Sequence, residues 1–167
     1  MTIFAISDTH FGHDKLVELS GRPPDFGARI LADVRSRMGD LLIHCGDFCI
    51  GNDKPHTEAF MEAAKGFKRK VLVRGNHDPR GDLWYMNHGW DFVVNSFVSK
   101  YNGKVVVFTH APILKKNGMD FNVHGHLHGN QHRHEAMALA GYDTTFHKDL
   151  APEIHNYKLV DLTDLIK

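Results

Sequence analysis

The stretch VLVRGNHD, residues 71–78, decides how the rest of the chain is interpreted. Its first three residues form a short apolar run, rich in β-branched side chains, of the kind that makes a buried strand. The run breaks at Gly75, and an amide, an imidazole and a carboxylate follow in consecutive positions. Open α/β sheets build ligand sites at the carboxyl ends of their strands. The stretch therefore predicts a buried strand that ends in a ligand site.

Other apolar runs end in the same kinds of side chain. They are residues 3–7 before Asp8 and His10, 41–46 before Asp47, 105–109 before His110, and 123–128 with His124, His126 and His128. In extended backbone, alternate side chains share a face at a spacing of about 6.6–7 Å, so pairs such as Asp8 and His10 can converge on one ion. The repetition predicts a metal site assembled from several strand ends.

The bulk composition is that of an ordinary globular protein, and we expect one domain covering residues 1–167. Helices are expected over residues 26–38, from Pro55 to Phe67 and over 82–87. Residues 91–100 and 104–109 have strand patterns, and the Asn102-Gly103 pair between them predicts a hairpin. A further strand is predicted within 136–147 and a final one over 157–162.

The charge and cysteine content limit the possible functions. Lys+Arg and Asp+Glu balance at 20 each, so no net field draws the chain to nucleic acid or membrane. Fourteen histidines favour a metal site. Cys45 and Cys49 are too few for a disulfide scaffold, and we interpret them as small buried side chains in a reducing, cytoplasmic protein. The sequence begins directly in a strand pattern, without signal-peptide features, and no apolar run reaches membrane-spanning length.

In order and approximate spacing, the motifs resemble those of the calcineurin-like metallophosphoesterases. The motifs are Asp8-Thr9-His10, Gly46-Asp47, Gly75-Asn76-His77-Asp78, His110 and Gly125-His126-Leu127-His128. The resemblance extends over residues 3–162 and is greatest to the small, cap-less bacterial and phage members. It implies an α/β fold, a four-layer α/β/β/α sandwich of two mixed β-sheets flanked by helices.

The resemblance also implies two divalent metal ions and a role for each motif. One ion would be held by Asp8, His10 and His128, the other by Asn76, His110 and His126, with Asp47 bridging both. Carboxylate, imidazole and amide donors suit manganese, our first choice, and also iron, nickel, zinc or cobalt. A hydroxide shared by the two ions would attack the phosphorus, and His77 would protonate the leaving oxygen or stabilise the transition state.

One position departs from the family pattern. Many members carry an acid three residues after the Gly-Asp block, where it pairs with the catalytic histidine, but this chain has Ile50 there. His77 must therefore use another orienting partner, with Asp78 and Asp53 as candidates, or act without one.

The predicted activity is hydrolysis of phosphate esters, with phosphodiesters of small, nucleotide-like substrates favoured over phosphomonoesters. A phosphomonoesterase, a nuclease on the same site and a metal-free scaffold protein are the alternatives. The partner we expect is a small phosphate-ester substrate, with no stable nucleic-acid complex and no membrane. The oligomeric state stays open.

Overall fold

Two β-sheets form the centre of the molecule in this computed structural model, which describes residues 1–51 and 53–167. Within these residues the strands are β1 (Ile3–Ile6), β2 (Gly39–His44), β3 (Phe67–Val73), β4 (Phe92–Val94), β5 (Ser96–Tyr101), β6 (Lys104–Thr109), β7 (Phe121–His124), β8 (His147–Asp149) and β9 (Val160–Asp161). The helices are α1 (Leu16–Ser20), α2 (Phe26–Ser36), α3 (Asp53–Ala63), α4 (Asp82–Asn87), α5 (Gln131–Leu139) and α6 (Leu162–Leu165), and a 3₁₀ turn covers Ala64–Gly66.

The first sheet has the strand order β4-β3-β2-β1-β9, with β1 to β4 parallel and β9 antiparallel to β1. Ile6 at the end of β1 lies beside His44 at the end of β2. Because parallel strands joined by helical crossovers end at the same edge of a sheet, the side chains that follow them collect there. The predicted ligands at this edge are Asp8, Asp47 and Asn76.

The second sheet has the order β5-β6-β7-β8 and is also mixed. Strands β5 and β6 are antiparallel, whereas β6, β7 and β8 are parallel to one another. The turn between β5 and β6 has positive φ at Asn102 (48°) and at Gly103 (79°), as a two-residue hairpin turn requires. This confirms the predicted hairpin. His110 and His126 follow the parallel strands β6 and β7.

The apolar side chains of the central strands divide between two cores, because successive residues of a strand point to opposite faces. Ile3 and Ile43 of the first sheet belong to the core shared with Phe108 and Val123 of the second sheet. Phe4 and Leu42 belong instead to the core beneath α2 and α3. Each buried strand therefore supports a sheet–sheet interface on one side and a sheet–helix interface on the other.

A thinner layer covers the outer face of the second sheet. Tyr142, which follows α5, stacks on His147 of β8 with ring centroids 4.3 Å apart. Its hydroxyl lies 3.2 Å from Nε2 of His124 in β7. The predicted sandwich of two mixed sheets flanked by helices is confirmed.

Two of the predicted elements were wrong. The strand expected over 91–100 is divided at Asn95, since β4 pairs with the first sheet and β5 with the second. The strand expected within 136–147 is mostly helix α5 and the turns after it, and β8 begins only at His147. The helix is preceded by Asn130, whose side chain accepts a hydrogen bond from the backbone N–H of Arg133, an N-cap that we did not recognise.

The two cysteines agree with the expectation of small buried side chains. Cys45 and Cys49 are free thiols, and both are buried. Burial raises the pKa of both thiols, which opposes thiolate formation. No helix among the described residues is long and apolar enough to cross a bilayer.

Candidate metal centre

The strand-end loops hold five of the seven predicted metal ligands in the left-handed backbone conformation. Their φ angles are 48° at Asp8, 44° at His10, 55° at Asp47, 71° at His126 and 56° at His128. This conformation is uncommon for residues other than glycine and costs about 1–3 kcal/mol at each position. It persists only where the surroundings hold it in place, and such positions cluster at functional sites.

The carboxylate of Asp78 holds two of these loops together. It accepts hydrogen bonds from the backbone N–H groups of Asp47 at 3.0 Å, Phe48 at 2.9 Å and Gly75 at 2.7 Å. The loop after β2 is thereby fixed to the loop after β3. A side chain at Gly75 would collide with the carboxylate of Asp47, so this contact requires glycine.

Thr9 and His44 connect the loop after β1 to the loop after β2. The Thr9 hydroxyl donates to the carbonyl of Phe48 at 2.7 Å and lies 3.0 Å from Nε2 of His44. Two backbone hydrogen bonds reinforce the connection, from the N–H of Asp8 to the carbonyl of Gly46 and from the N–H of His10 to the carbonyl of Asp47. The neighbouring loops are therefore fixed to each other by direct hydrogen bonds.

The first cluster of donor atoms is formed by Asp8, His10, Asp47 and His128. The Nε2 atoms of His10 and His128 face each other at 3.3 Å. Oδ1 of Asp8 lies 3.6 Å from Nε2 of His128 and, although buried, has no hydrogen-bond partner among the described residues. Nitrogen and oxygen atoms that converge in this way can serve as ligands of one metal ion.

The second cluster is formed by Asp47, His110 and His126, and Asn76 adds an amide oxygen. Nε2 of His110 lies 2.9 Å from Oδ1 of Asn76, 3.1 Å from Nδ1 of His126 and 3.4 Å from Oδ2 of Asp47. On its other side, His110 donates from Nδ1 to the carbonyl of Cys45 at 2.9 Å. In the neutral imidazole, that hydrogen bond leaves the lone pair on Nε2, directed into the cluster.

Asp47 belongs to both clusters. Its Oδ2 lies 3.5 Å from Nε2 of His10 and 3.4 Å from Nε2 of His110. Its other oxygen, Oδ1, accepts a hydrogen bond from the backbone N–H of His77 at 2.8 Å, which fixes the carboxylate. One carboxylate oxygen therefore lies between the two sets of donors.

Burial and close packing shift the pKa values of these groups in opposite directions. Burial raises the pKa of Asp8 to about 6 and lowers that of His10 to about 3. For His110, burial acts downward, but Asp47 and Asp8 outweigh it and raise the pKa to about 9. For Asp47, burial acts upward, but His110 holds the pKa below its ordinary range. A cation among these groups would favour the deprotonated carboxylates and neutral imidazoles, so the residues present fit a divalent metal.

His77 lies outside both groups of converging donors. It is exposed, and its ring centroid is 5.5 Å from that of His10. The two candidate partners for its imidazole, Asp78 and Asp53, have other hydrogen-bond donors. The Asp78 carboxylate is directed to backbone N–H groups, and Asp53 accepts from Nε of Arg80 at 2.7 Å and from the thiol of Cys49 at 3.2 Å.

Three residues at the site were missed from the sequence. Arg22 and Glu153 lie behind His128, within 3.4 Å of its Nδ1. Arg133 donates from Nη1 to the carbonyl of His126 at 2.9 Å. No local signal marks any of them, because each reaches the site from a loop or a helix start to which we assigned no role.

A cleft of about 610 Å³ opens beside the second cluster. Its lining residues are Arg74, Asn76, Asn95, Ser96, Thr109, His110, Ala111, Ile113 and His126. The guanidinium of Arg74 is engaged by Asp82 at 3.1 Å and by the backbone carbonyls of Asp78 and Arg80 at 2.8 Å each. The arginine of the cleft is therefore already bound to protein groups.

Several known proteins resemble this chain in sequence or in fold. An uncharacterized protein of Methanocaldococcus jannaschii is 26% identical over 174 residues, which cover 99% of this chain and 89% of the relative. The crystal structure of a protein of unknown function from Aquifex aeolicus has a TM-score of 0.78 and 26% identity, covering 98% of this chain and 96% of that one. An archaeal phosphodiesterase shares the fold with a TM-score of 0.52 and 18% identity over 75% of this chain and 73% of its own.

The family assignment comes from the sequence as a whole. The model of the family described as calcineurin-like phosphoesterase matches residues 1–158. That match covers nearly the whole chain and includes every residue of the two clusters. The resemblance inferred from the motifs is thereby confirmed, and the protein belongs to the calcineurin-like phosphoesterase family.

Proposed function

We propose that the protein hydrolyses phosphodiesters of small, nucleotide-like substrates with two divalent metal ions. The observation that carries this proposal is the position of Asp47 Oδ2, about equally far from a histidine of each cluster. When bound, two such ions would neutralise the phosphate oxygens and supply an activated water. The substrate would be a small phosphate ester, and no stable nucleic-acid complex or membrane contact is part of the proposal.

Each cluster would hold one ion through residues of both sheets. Asp8, His10 and His128 would ligate the first, Asn76, His110 and His126 the second, and Asp47 both. The mixture of carboxylate, amide and imidazole donors favours manganese, with iron, nickel, zinc or cobalt as alternatives. Because the ligands come from loops fixed to each other, the protein would bring the two ions together without rearranging.

His77 would donate a proton to the leaving group. Its backbone N–H is fixed by Asp47 at 2.8 Å, and its exposed ring lies beside His10. An imidazole held there can donate a proton to the oxygen that leaves phosphorus while both clusters keep their ligands. Its access to solvent allows it to regain the proton without an acidic partner.

The cleft beside the second cluster supports a preference for diesters. A diester brings one negative charge and a second organic group, whereas a monoester brings two charges and no second group. The cleft has room for that group, and Asn95 and Ser96 offer it hydrogen bonds. The arginine on its wall, Arg74, is already bound to Asp82 and to backbone carbonyls, so it is poorly placed to neutralise a second phosphate charge.

The test is a comparison of substrates with manganese supplied. We expect kcat/KM for bis-p-nitrophenyl phosphate to exceed that for p-nitrophenyl phosphate, and natural diesters and 2′,3′-cyclic nucleotides to exceed natural monoesters. Asp47→Ala, purified in parallel, controls for contaminating phosphatases. The reverse order across both substrate sets would overturn the diester preference.

A further inference from the structure

Arg22 is a buried charge directly behind the first cluster. The residue is 1% exposed. Its guanidinium donates to the backbone carbonyls of Asp8 at 2.8 Å and Thr9 at 3.1 Å, and its Nε donates to Oε1 of Glu153 at 2.8 Å. A buried guanidinium is stable only when its donors are satisfied and its charge is paired. Here one side chain fixes the loop after β1 to a carboxylate that is 131 residues away in sequence.

Glu153 reaches the site from the turn after β8. The loop that follows His128 packs closely against it, since a side chain at Gly129 would lie 2.7 Å from Ile154 and 3.8 Å from Cβ of Glu153. Oε1 of Glu153 accepts from Arg22 and lies 3.4 Å from Nδ1 of His128. The other carboxylate oxygen is buried and has no hydrogen-bond partner within residues 1–51 and 53–167. The carboxylate is therefore held at His128 although its own hydrogen bonding is incomplete.

The two neighbours of His128 Nδ1 favour opposite tautomers. An ionised carboxylate only accepts hydrogen bonds and a guanidinium only donates them, and a neutral imidazole carries one proton on one of its nitrogens. Glu153 favours the proton on Nδ1, which leaves the Nε2 lone pair directed into the first cluster. Arg22, whose Nη2 is 3.4 Å from Nδ1, favours the proton on Nε2, where it would prevent coordination.

We propose that Glu153 is a positioning residue that selects the metal-binding tautomer of His128, and that Arg22 holds Glu153 in place for this task. The inference rests on the proposed function only in assuming that the first cluster binds a metal. His110 in the second cluster also has an acceptor at its far nitrogen, because the backbone carbonyl of Cys45 accepts from its Nδ1 at 2.9 Å. A partner that accepts from the far nitrogen of a metal-binding histidine fixes its orientation and tautomer.

Substitutions at Glu153 separate tautomer selection from charge balance. Glu153→Gln removes the charge but keeps an acceptor, because Nε of Arg22 fixes the amide oxygen at the Oε1 position. Glu153→Asp keeps the charge for Arg22 but draws the oxygen away from His128. Tautomer selection predicts that Glu153→Gln behaves like the parent and Glu153→Asp does not. A purely structural ion pair predicts the reverse, and Glu62→Ala, in an exposed pair with Lys65, is the control.

The experiment measures the tautomer and metal binding independently. Long-range ¹H–¹⁵N spectra of the metal-free protein at alkaline pH should show the His128 proton on Nδ1 in the parent, Glu153→Gln and Glu62→Ala. It should move to Nε2 in Glu153→Asp and Glu153→Ala, while His110 stays unchanged. Titration with manganese should then show about 10–100-fold weaker binding at one site only. An unchanged tautomer with unchanged affinity in Glu153→Asp and Glu153→Ala would overturn the inference.

The readouts distinguish this inference from the proposed function. If the parent protein bound no divalent ion at either cluster, the proposed function would fail, yet the spectra would still report the tautomer. If Glu153→Ala failed to fold, Glu153→Asp would carry the test, because it preserves the charge beside Arg22. Thermal unfolding of each metal-free variant identifies that case.

Discussion

The two donor clusters differ in how the protein holds them. Three of the four donors in the first cluster are buried, and its half-buried His128 is supported from behind by the side chains of Glu153 and Arg22. The second opens onto the cleft, its Asn76 is exposed, and its His110 is supported by a backbone carbonyl. Under the proposed function, the first cluster would anchor one metal and the second would face the substrate. Asp47 is the residue common to both.

The largest effect is expected at that shared residue. Asp47→Ala should reduce bound metal at both clusters and abolish turnover, because one carboxylate oxygen serves both. His128→Ala is the matched comparison and should mainly weaken one site. Elemental analysis of dialysed proteins measures both occupancies. Two fully occupied sites in Asp47→Ala would contradict the bridging assignment.

The next largest effect is expected at His77, which is proposed to take part in the reaction without binding a metal. His77→Ala should keep the metal content and fold of the parent while slowing turnover by about 10²–10⁴-fold, because its ring lies outside both clusters. The loss should shrink for a leaving group such as p-nitrophenolate, which needs no proton. Metal analysis and kinetics on activated and unactivated esters check this. Loss of metal from the variant would make His77 a ligand instead.

The smallest effect is expected at His44, which supports the clusters from behind through Thr9, and it concerns the pH dependence of stability. Burial lowers the pKa of His44 from 6.5 to about 3 in the folded protein. Because the unfolded chain then binds the proton more readily, the neutral His44 contributes stability above pH 6.5 that is lost as pH falls from there toward 3. The slope from this group is about 1.4 kcal/mol per pH unit.

Denaturant unfolding of the metal-free protein across that window measures the slope. His44→Gln should flatten it, whereas His132→Gln, at a side chain that is 96% exposed, should leave it unchanged. The same slope in the parent and in His44→Gln would show that His44 does not carry this pH dependence.

The fold could be predicted because its signals are local. Each strand of the site is followed within two residues by a glycine or a metal-competent side chain, and the Asn102-Gly103 pair specifies its turn. Since parallel strands end at one edge of a sheet, the order of motifs was enough to place the candidate ligands near one another. The structure brings all seven of them together in two clusters.

The other features of the site could not be predicted, because they depend on contacts that no short stretch of sequence reveals. Arg22 and Glu153 meet across 131 positions, so neither carries a sign of the other. Asp78 resembled a partner for the neighbouring His77, yet its carboxylate is used by backbone N–H groups of the loop after β2. The strand pattern over 91–100 did not indicate that the chain passes from the first sheet to the second at Asn95. That change of sheet is decided by how the two sheets pack.

The central claim is that Asp47 joins two metal ions, and a crystal structure of the manganese-loaded protein tests it most directly. Anomalous scattering should show two peaks, one among Asp8, His10 and His128 and the other among Asn76, His110 and His126, with Oδ2 of Asp47 between them. Crystals of His128→Ala, grown and soaked in the same way, should lose mainly the first peak. A single peak in the parent protein, or two peaks of which Asp47 contacts only one, would contradict the account.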